Sequence, residues 1–98
     1  MKNCYTFIMT LDGGTYIAQF KAKNFDKSVL IWLDGIMKTN KIRKAVGKKI
    51  IAKLSKALLS EEGYPSKIRK VDSVWHSAIN TAKGMCEIHI INTAKASD

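Results

Sequence analysis

Residues 4–22, with the sequence CYTFIMTLDGGTYIAQFKA, decide the fold of this chain. Aromatic and apolar residues alternate with other residues on both sides of Asp12-Gly13, which is the period-2 pattern of a β-strand. An Asp-Gly pair is the chemistry that a two-residue type I′ turn requires. With that pair at the turn centre, three cross-strand pairs collect the aromatic residues on one face: Met9–Tyr16, Phe7–Ala18 and Tyr5–Phe20. A slip of one residue would scatter the aromatic residues, so the turn and the alternation predict the same hairpin.

A helix is predicted directly after this hairpin, over about residues 25–37. Asn24 is suited to the N-cap, and Asp26 places a negative charge at the positive end of the helix. Leu30 and Ile31 widen the apolar stripe to more than half of the circumference. The residues that recur at helical spacing are Phe25, Val29, Trp32, Leu33 and Ile36.

A second, basic helix is predicted over a Lys-rich segment that includes residues 41–56, and Glu61 and Glu62 close it. Gly63 follows it as a residue suited to the C′ position, and Gly47 is a weak point within it. Its apolar stripe consists of Ile42, Val46, Ile50, Leu54, Ala57 and Leu58.

A second hairpin is predicted after Pro65, with strands over residues 71–79 and 86–91 and a loop over residues 81–84. Gly84 suits the left-handed position that closes such a loop. The resulting pairs are Ile79–Cys86, Ser77–Ile88 and Trp75–Ile90. The sequence therefore predicts one α+β domain over residues 1–98, with a frayed tail at residues 95–98. Its expected architecture is a four-stranded antiparallel sheet in ββααββ order packed with two helices, and the strand order stays open.

The charge of the chain is its one unusual bulk property. The formal net charge is +9 over 98 residues, and no acidic residue lies between Asp34 and Glu61. The longest uninterrupted apolar run, residues 29–33, is far too short to span a bilayer. The two cysteines, Cys4 and Cys86, do not resemble a disulfide framework. We therefore expect a cytoplasmic protein with no membrane partner.

Nucleic acid, or another acidic partner, is the alternative that the basic helix favours, because clustered lysines can follow phosphates. A lysine surface that only keeps the protein soluble would explain the same pattern. Base recognition also favours arginine, and the chain has only Arg43 and Arg69. The candidate nucleic-acid residues are Lys41, Lys44, Lys48, Lys49, Lys53 and Lys56.

A metal-dependent enzyme is the remote alternative. The predicted register makes His76 and His89 cross-strand partners, with Glu87 diagonal to them on the same face, and these are metal-ligand types. Two partly exposed histidines on the second face of a sheet are the simpler interpretation. Ser73 and Ser77 point away from His76, so no nucleophile–base pair is expected. No cofactor motif is present, and we expect a protein that is not an enzyme.

Self-association is predicted from apolar residues on the outer face of the sheet. Ile8 pairs with Ile17, and Val74 pairs with Ile91, which is more apolar surface than a monomer needs. Either the helices divide between both faces or a partner covers one of them, and a homodimer is the simplest partner. The sequence thus favours a small non-enzymatic binding module that self-associates.

Overall fold

The computed structural model describes residues 3–38, 42, 44, 46–61, 63–68 and 73–93. The strands are β1 (Asn3–Leu11), β2 (Gly14–Ala22), β3 (Ser66–Lys67), β4 (Val74–Thr81) and β5 (Gly84–Asn92). The helices are α1 (Phe25–Lys38) and α2 (Lys48–Leu58), and both precede β3. The predicted residues Lys41, Glu62, Val71 and Asp72, and the tail at 95–98, lie outside the described residues.

The sheet is antiparallel and five-stranded, in the order β2-β1-β5-β4-β3, so the prediction of a four-stranded sheet in ββααββ order is wrong. The additional strand is β3, in which Ser66 pairs with His76 and Lys67 with Trp75. Two residues are too few for an alternation pattern to be visible in the sequence. The fold nevertheless remains of the α+β kind.

The register of both hairpins is confirmed. Asp12 and Gly13 have φ values of 49° and 79°, the two left-handed conformations of a type I′ turn. The first hairpin contains the predicted pairs Met9–Tyr16, Phe7–Ala18 and Tyr5–Phe20. The second contains the predicted pairs Ile79–Cys86, Ser77–Ile88 and Trp75–Ile90. Its turn consists of Ala82 and Lys83, with Thr81 and Gly84 paired on either side of it.

The two terminal strands form the centre of the sheet. β1 pairs with β5, and this register sets Phe7 opposite Ile90 and Met9 opposite Ile88. All four of these side chains are at most 1% exposed. The first and last of the described strands are therefore joined through side chains that are buried from solvent.

Helix α1 begins as predicted. The Asn24 side-chain oxygen accepts a hydrogen bond from the Lys27 backbone N–H at 2.9 Å, which satisfies one of the free donors of the first turn. The buried stripe of α1 is Val29, Trp32, Leu33 and Ile36.

The basic helix is shorter than predicted at both ends. Ile42, Lys44 and Val46 are helical, but Gly47 has φ 97° and ψ 145°, so α2 begins only at Lys48. Positive φ ends a right-handed helix and is readily accessible only to glycine. At the other end α2 stops at Leu58, and Gly63 is a buried residue beyond it rather than its C′ residue.

Both helices pack on one face of the sheet. A single buried cluster contains the apolar stripes of α1 and α2 together with the inward-facing residues of β1, β4 and β5. Phe7 stacks between Phe20 and Trp32, with ring centroids 5.2 and 5.0 Å apart. The predicted aromatic core is confirmed, with Tyr5, Phe7 and Trp32 buried and with Tyr16, Phe20 and Trp75 partly buried against them.

Candidate functional site

Strand β2 lies at the border of the sheet, and no described residue pairs with its outer side along its nine residues. The Cys4 carbonyl accepts a hydrogen bond from Thr93, on the side of β5, so the even-numbered residues of β1 bond towards β5. Their partners in β2 consequently direct their N–H and C=O groups away from β1. The outward-directed residues are Thr15, Ile17, Gln19 and Lys21. An unpaired row of this kind is a template for a further strand.

An apolar groove lies along this edge, between β2 and α1. Its volume is about 200 Å³. The half-buried side chains of Tyr16, Ala18 and Phe20 line it from the strand, and Ile31 lines it from the helix. Ile17 and Ile31, two of the large apolar residues that stay exposed, at 68% and 45%, belong to its lining. We call β2 and this groove together the β2 edge.

The second face of the sheet carries the four residues predicted to mediate self-association. The cross-strand pairs Ile8–Ile17 and Val74–Ile91 are both present. Because both helices pack on the other face, nothing in the described part of the chain covers this one. Ile8, Val74 and Ile91 are already half-buried by their neighbours within the sheet, whereas Ile17 is the most exposed of the large apolar residues that the structure describes.

The two histidines lie on the same open face, as predicted. His76 pairs with His89, and their ring centroids are 4.6 Å apart. His76 Nε2 is 3.5 Å from Glu87 Oε1, with both side chains partly exposed. Within the described residues, no group of three or more His, Cys, Asp or Glu side chains is placed to hold a metal ion. The geometry thus amounts to an ion pair available when His76 is protonated, beside a second imidazole.

The Cys86 thiol on β5 and the Ser77 hydroxyl on β4 lie in the packed interior beneath the sheet. Cys4 and Cys86 are both free thiols. Burial, with a smaller contribution from the nearby Glu87 charge, raises the pKa of the Cys86 thiol to about 11. Ser77 is buried, and its hydroxyl donates to the Gly63 carbonyl at 2.6 Å. This bond connects β4 to the segment that follows α2.

A tyrosine that the sequence did not single out lies at the start of α1. The Tyr64 hydroxyl donates a hydrogen bond to the Asp26 carboxylate, and its ring contacts Phe25 edge-on at 5.9 Å. Partial burial, the hydrogen bond to Asp26 and its negative charge together raise the pKa of Tyr64 to about 12. The contact fastens the segment after α2 to the first turn of α1.

The lysines of the basic segment lie on the outside of the helical layer. Lys44, Lys48, Lys49, Lys53 and Lys56 are all exposed, and Lys41 lies outside the described residues. The first turn of α2 contains no acidic residue, and no side-chain hydrogen bond caps the helix. The opposite side of α2 is buried through Ile50, Ile51, Leu54 and Leu58.

Comparisons with known proteins add no constraint. Searches of protein-family models, of curated proteins and of solved structures find no significant similarity to this chain. A bilayer-crossing helix is also not found, since no described helix has the necessary length and hydropathy.

The sequence anticipated the lysines and the histidine pair, because these depend on local patterns. It missed the β2 edge as a site. One sequence signal pointed to this site: Ile31 lies at the border of the apolar stripe of α1, beside the residues that face the core. Knowing that β2 lies at the border of the sheet requires the strand order.

Proposed function

We propose that this chain is a non-enzymatic interaction module that self-associates, two copies pairing antiparallel along β2 to join two five-stranded sheets into one. The observation that carries the proposal is the β2 edge itself. A nine-residue strand whose outer side meets no described strand, with an apolar groove beside it, offers both backbone hydrogen bonds and apolar contact to an added strand.

A second copy of β2 is a suitable occupant because the strand is complementary to itself. In a two-fold pairing centred on Ala18, Ile17 faces Gln19 of the second copy and Thr15 faces its Lys21. These are the residues whose N–H and C=O groups point outward, so each such pair can exchange two hydrogen bonds. The small Ala18 side chain at the axis lets Tyr16 of one copy approach Phe20 of the other. Such an isologous contact closes on itself and stops at two chains.

Charge and exposure favour the same arrangement. The antiparallel pairing places Lys23 of one copy opposite the turn of the other, which contains Asp12, and it does so twice by symmetry. The groove residue Ile31 would be covered by the second copy, as would the backbone of Ile17. A partner on the second sheet face is favoured less, because Ile8, Val74 and Ile91 are already half-buried there.

Light scattering with purified protein at micromolar concentration tests the proposal. The chain has a mass of 11.0 kDa, and we expect a particle of twice that mass. Ile31→Asp should dissociate it, because a carboxylate in the groove would be buried without a partner. Leu30→Asp is the matched control, since Leu30 is the adjacent exposed residue, at 49%, and does not line the groove.

A second pair of variants isolates the backbone contribution. Gln19→Pro removes an outward-directed N–H while leaving the bonds between β1 and β2 intact, and proline is tolerated at such edge positions. Gln19→Ala removes the same side chain but keeps the N–H. We expect only the proline variant to be monomeric, with the circular dichroism of both variants unchanged. An 11 kDa particle for the wild type at every accessible concentration would contradict self-association. Dissociation by Val74→Lys together with insensitivity to Ile31→Asp would instead place the interface on the second face.

A further inference from the structure

The outer side of α2 carries an uncompensated positive surface. Lys49, Lys53 and Lys56 follow one another at steps of four and three, so they share one face of the helix. Lys48 lies beside them in the first turn, and Lys44 precedes the break at Gly47. All five are exposed, and none forms an ion pair or a side-chain hydrogen bond within the described part of the chain. We call these five residues the lysine surface.

This arrangement is unfavourable for the isolated protein. Like charges three and four residues apart repel each other on a helix surface. Lys48 and Lys49 also lie at the positive end of the α2 dipole, where acidic residues are stabilising and none is present. An anionic partner would relieve both repulsions at once.

We propose that the lysine surface binds the phosphodiester backbone of nucleic acid without sequence preference. Distance supports this partner: seven residues separate Lys49 from Lys56, which is about 10.5 Å of helix axis. Successive phosphates of one strand of a duplex advance about 3.4 Å along its axis, so three lysines match a run of three to four phosphates. Lysine provides charge with little geometric demand, which suits backbone contact rather than base recognition.

The buried side of α2 distinguishes nucleic acid from a membrane surface. Helices that lie on membranes insert an apolar face among the lipid chains. The large apolar residues of α2 are buried in the core, since Ile50, Ile51, Leu54 and Leu58 are at most 8% exposed. The contact that remains available is electrostatic, and a high linear charge density is the property that nucleic acid offers.

Fluorescence anisotropy tests the inference with labelled duplex DNA, duplex RNA and single-stranded RNA of mixed sequence. If Lys49, Lys53 and Lys56 each neutralise one phosphate of duplex DNA, they contribute about −2.7 to the slope of log K against log salt, so affinity for that probe falls about 40-fold between about 50 and about 200 mM salt. On a single strand the same three contacts contribute about −2.1. The triple variant Lys49→Gln, Lys53→Gln, Lys56→Gln should lose that part of the slope. The three probes separate the DNA and RNA sources of the shared backbone chemistry.

A matched control is provided by three exposed lysines that lie outside both α2 and the β2 edge: Lys27→Gln, Lys67→Gln and Lys83→Gln remove the same net charge. We expect this variant to keep nearly the full affinity and slope. Light scattering on both variants separates a loss of binding from a loss of self-association, because the lysine surface lies outside the β2 edge.

Three results would overturn the inference. One is the absence of binding to every probe at about 50 mM salt, where this electrostatic contribution is near its strongest; the lysine surface would then serve solubility only. Another is an equal loss of affinity in the two triple variants, which would indicate net charge rather than a site. The third is binding to vesicles of phosphatidylcholine and phosphatidylserine with no binding to nucleic acid, which would assign the surface to a membrane.

Discussion

Gly63 provides the sharpest test of how the helical layer is fixed to the sheet. A Cβ atom added at this residue would lie 2.7 Å from the Ala57 carbonyl carbon and closer still to the carbonyl oxygen. Real Cβ atoms essentially never approach another heavy atom closer than 3.0 Å, and the obstacle here is backbone rather than a flexible side chain. Gly63→Ala must therefore displace either the end of α2 or Gly63 itself.

The displacement is opposed by hydrogen bonds on both sides of Gly63. Its carbonyl accepts from the buried Ser77 hydroxyl at 2.6 Å, and its N–H donates to the Ser60 hydroxyl at 3.3 Å. Overpacking a well-packed site costs about 1–3 kcal/mol, and breaking the buried bond to Ser77 costs about 1–3 kcal/mol more. We expect Gly63→Ala to lower the free energy of unfolding by about 2–6 kcal/mol, which is a large part of the usual total of about 5–15 kcal/mol.

Urea denaturation followed by tryptophan fluorescence measures this loss. With an m value of about 1.5 kcal/mol/M, a loss of 3 kcal/mol lowers the midpoint by about 2 M. Ser77→Ala isolates the hydrogen-bond contribution. Gly35→Ala is a control with the opposite expected sign. An added Cβ there would meet nothing within 4 Å, and alanine within a helix raises the free energy of unfolding by about 0.5–1 kcal/mol relative to glycine. All variants are compared at one protein concentration, since self-association adds to apparent stability. A Gly63→Ala midpoint that coincides with that of the wild type would refute the reasoning.

Three further outcomes follow from the core and from the shifted pKa values. Phe7→Ala should cost about 3–5 kcal/mol, because the ring is 1% exposed and stacked on both sides; an unchanged denaturation midpoint would disprove the hairpin register. The pKa of Tyr64 is raised from 10.0 to about 12, so the folded state favours the neutral phenol. Its contribution to stability should be complete below pH 10 and should disappear as the pH rises towards 12, a decline that a Tyr64→Phe variant lacks in pH-dependent denaturation. Cys86 is fully buried with its pKa raised to about 11; at pH 8 its thiol should react with iodoacetamide only after unfolding, as mass spectrometry of the labelled peptide would show.

The parts of this fold that depend on neighbouring residues could be predicted from the sequence. Alternation has a period of two, and the Asp12-Gly13 turn permits one register, so the pairs of the first hairpin follow from residues 4–22 alone. The cap of α1 is equally local, because Asn24 bonds to a backbone N–H only three residues away. The lysine surface and the histidine pair belong to the same class, since helical and strand periodicity place their members together.

Only the tertiary structure decided which strands are neighbours and why residue 63 must be glycine. The pairing of β1 with β5 joins segments separated by most of the chain, and it is selected by burial of Phe7 and Ile90 rather than by any turn. Gly63 follows α2 at a spacing that suggests a cap, yet its role is set by the close approach of the Ala57 backbone. The β2 edge exists only because β1 is paired on its other side with β5, which leaves β2 at the border. Local periodicity determines the elements and their faces, whereas the contacts between distant elements determine which edges and surfaces remain open to a partner.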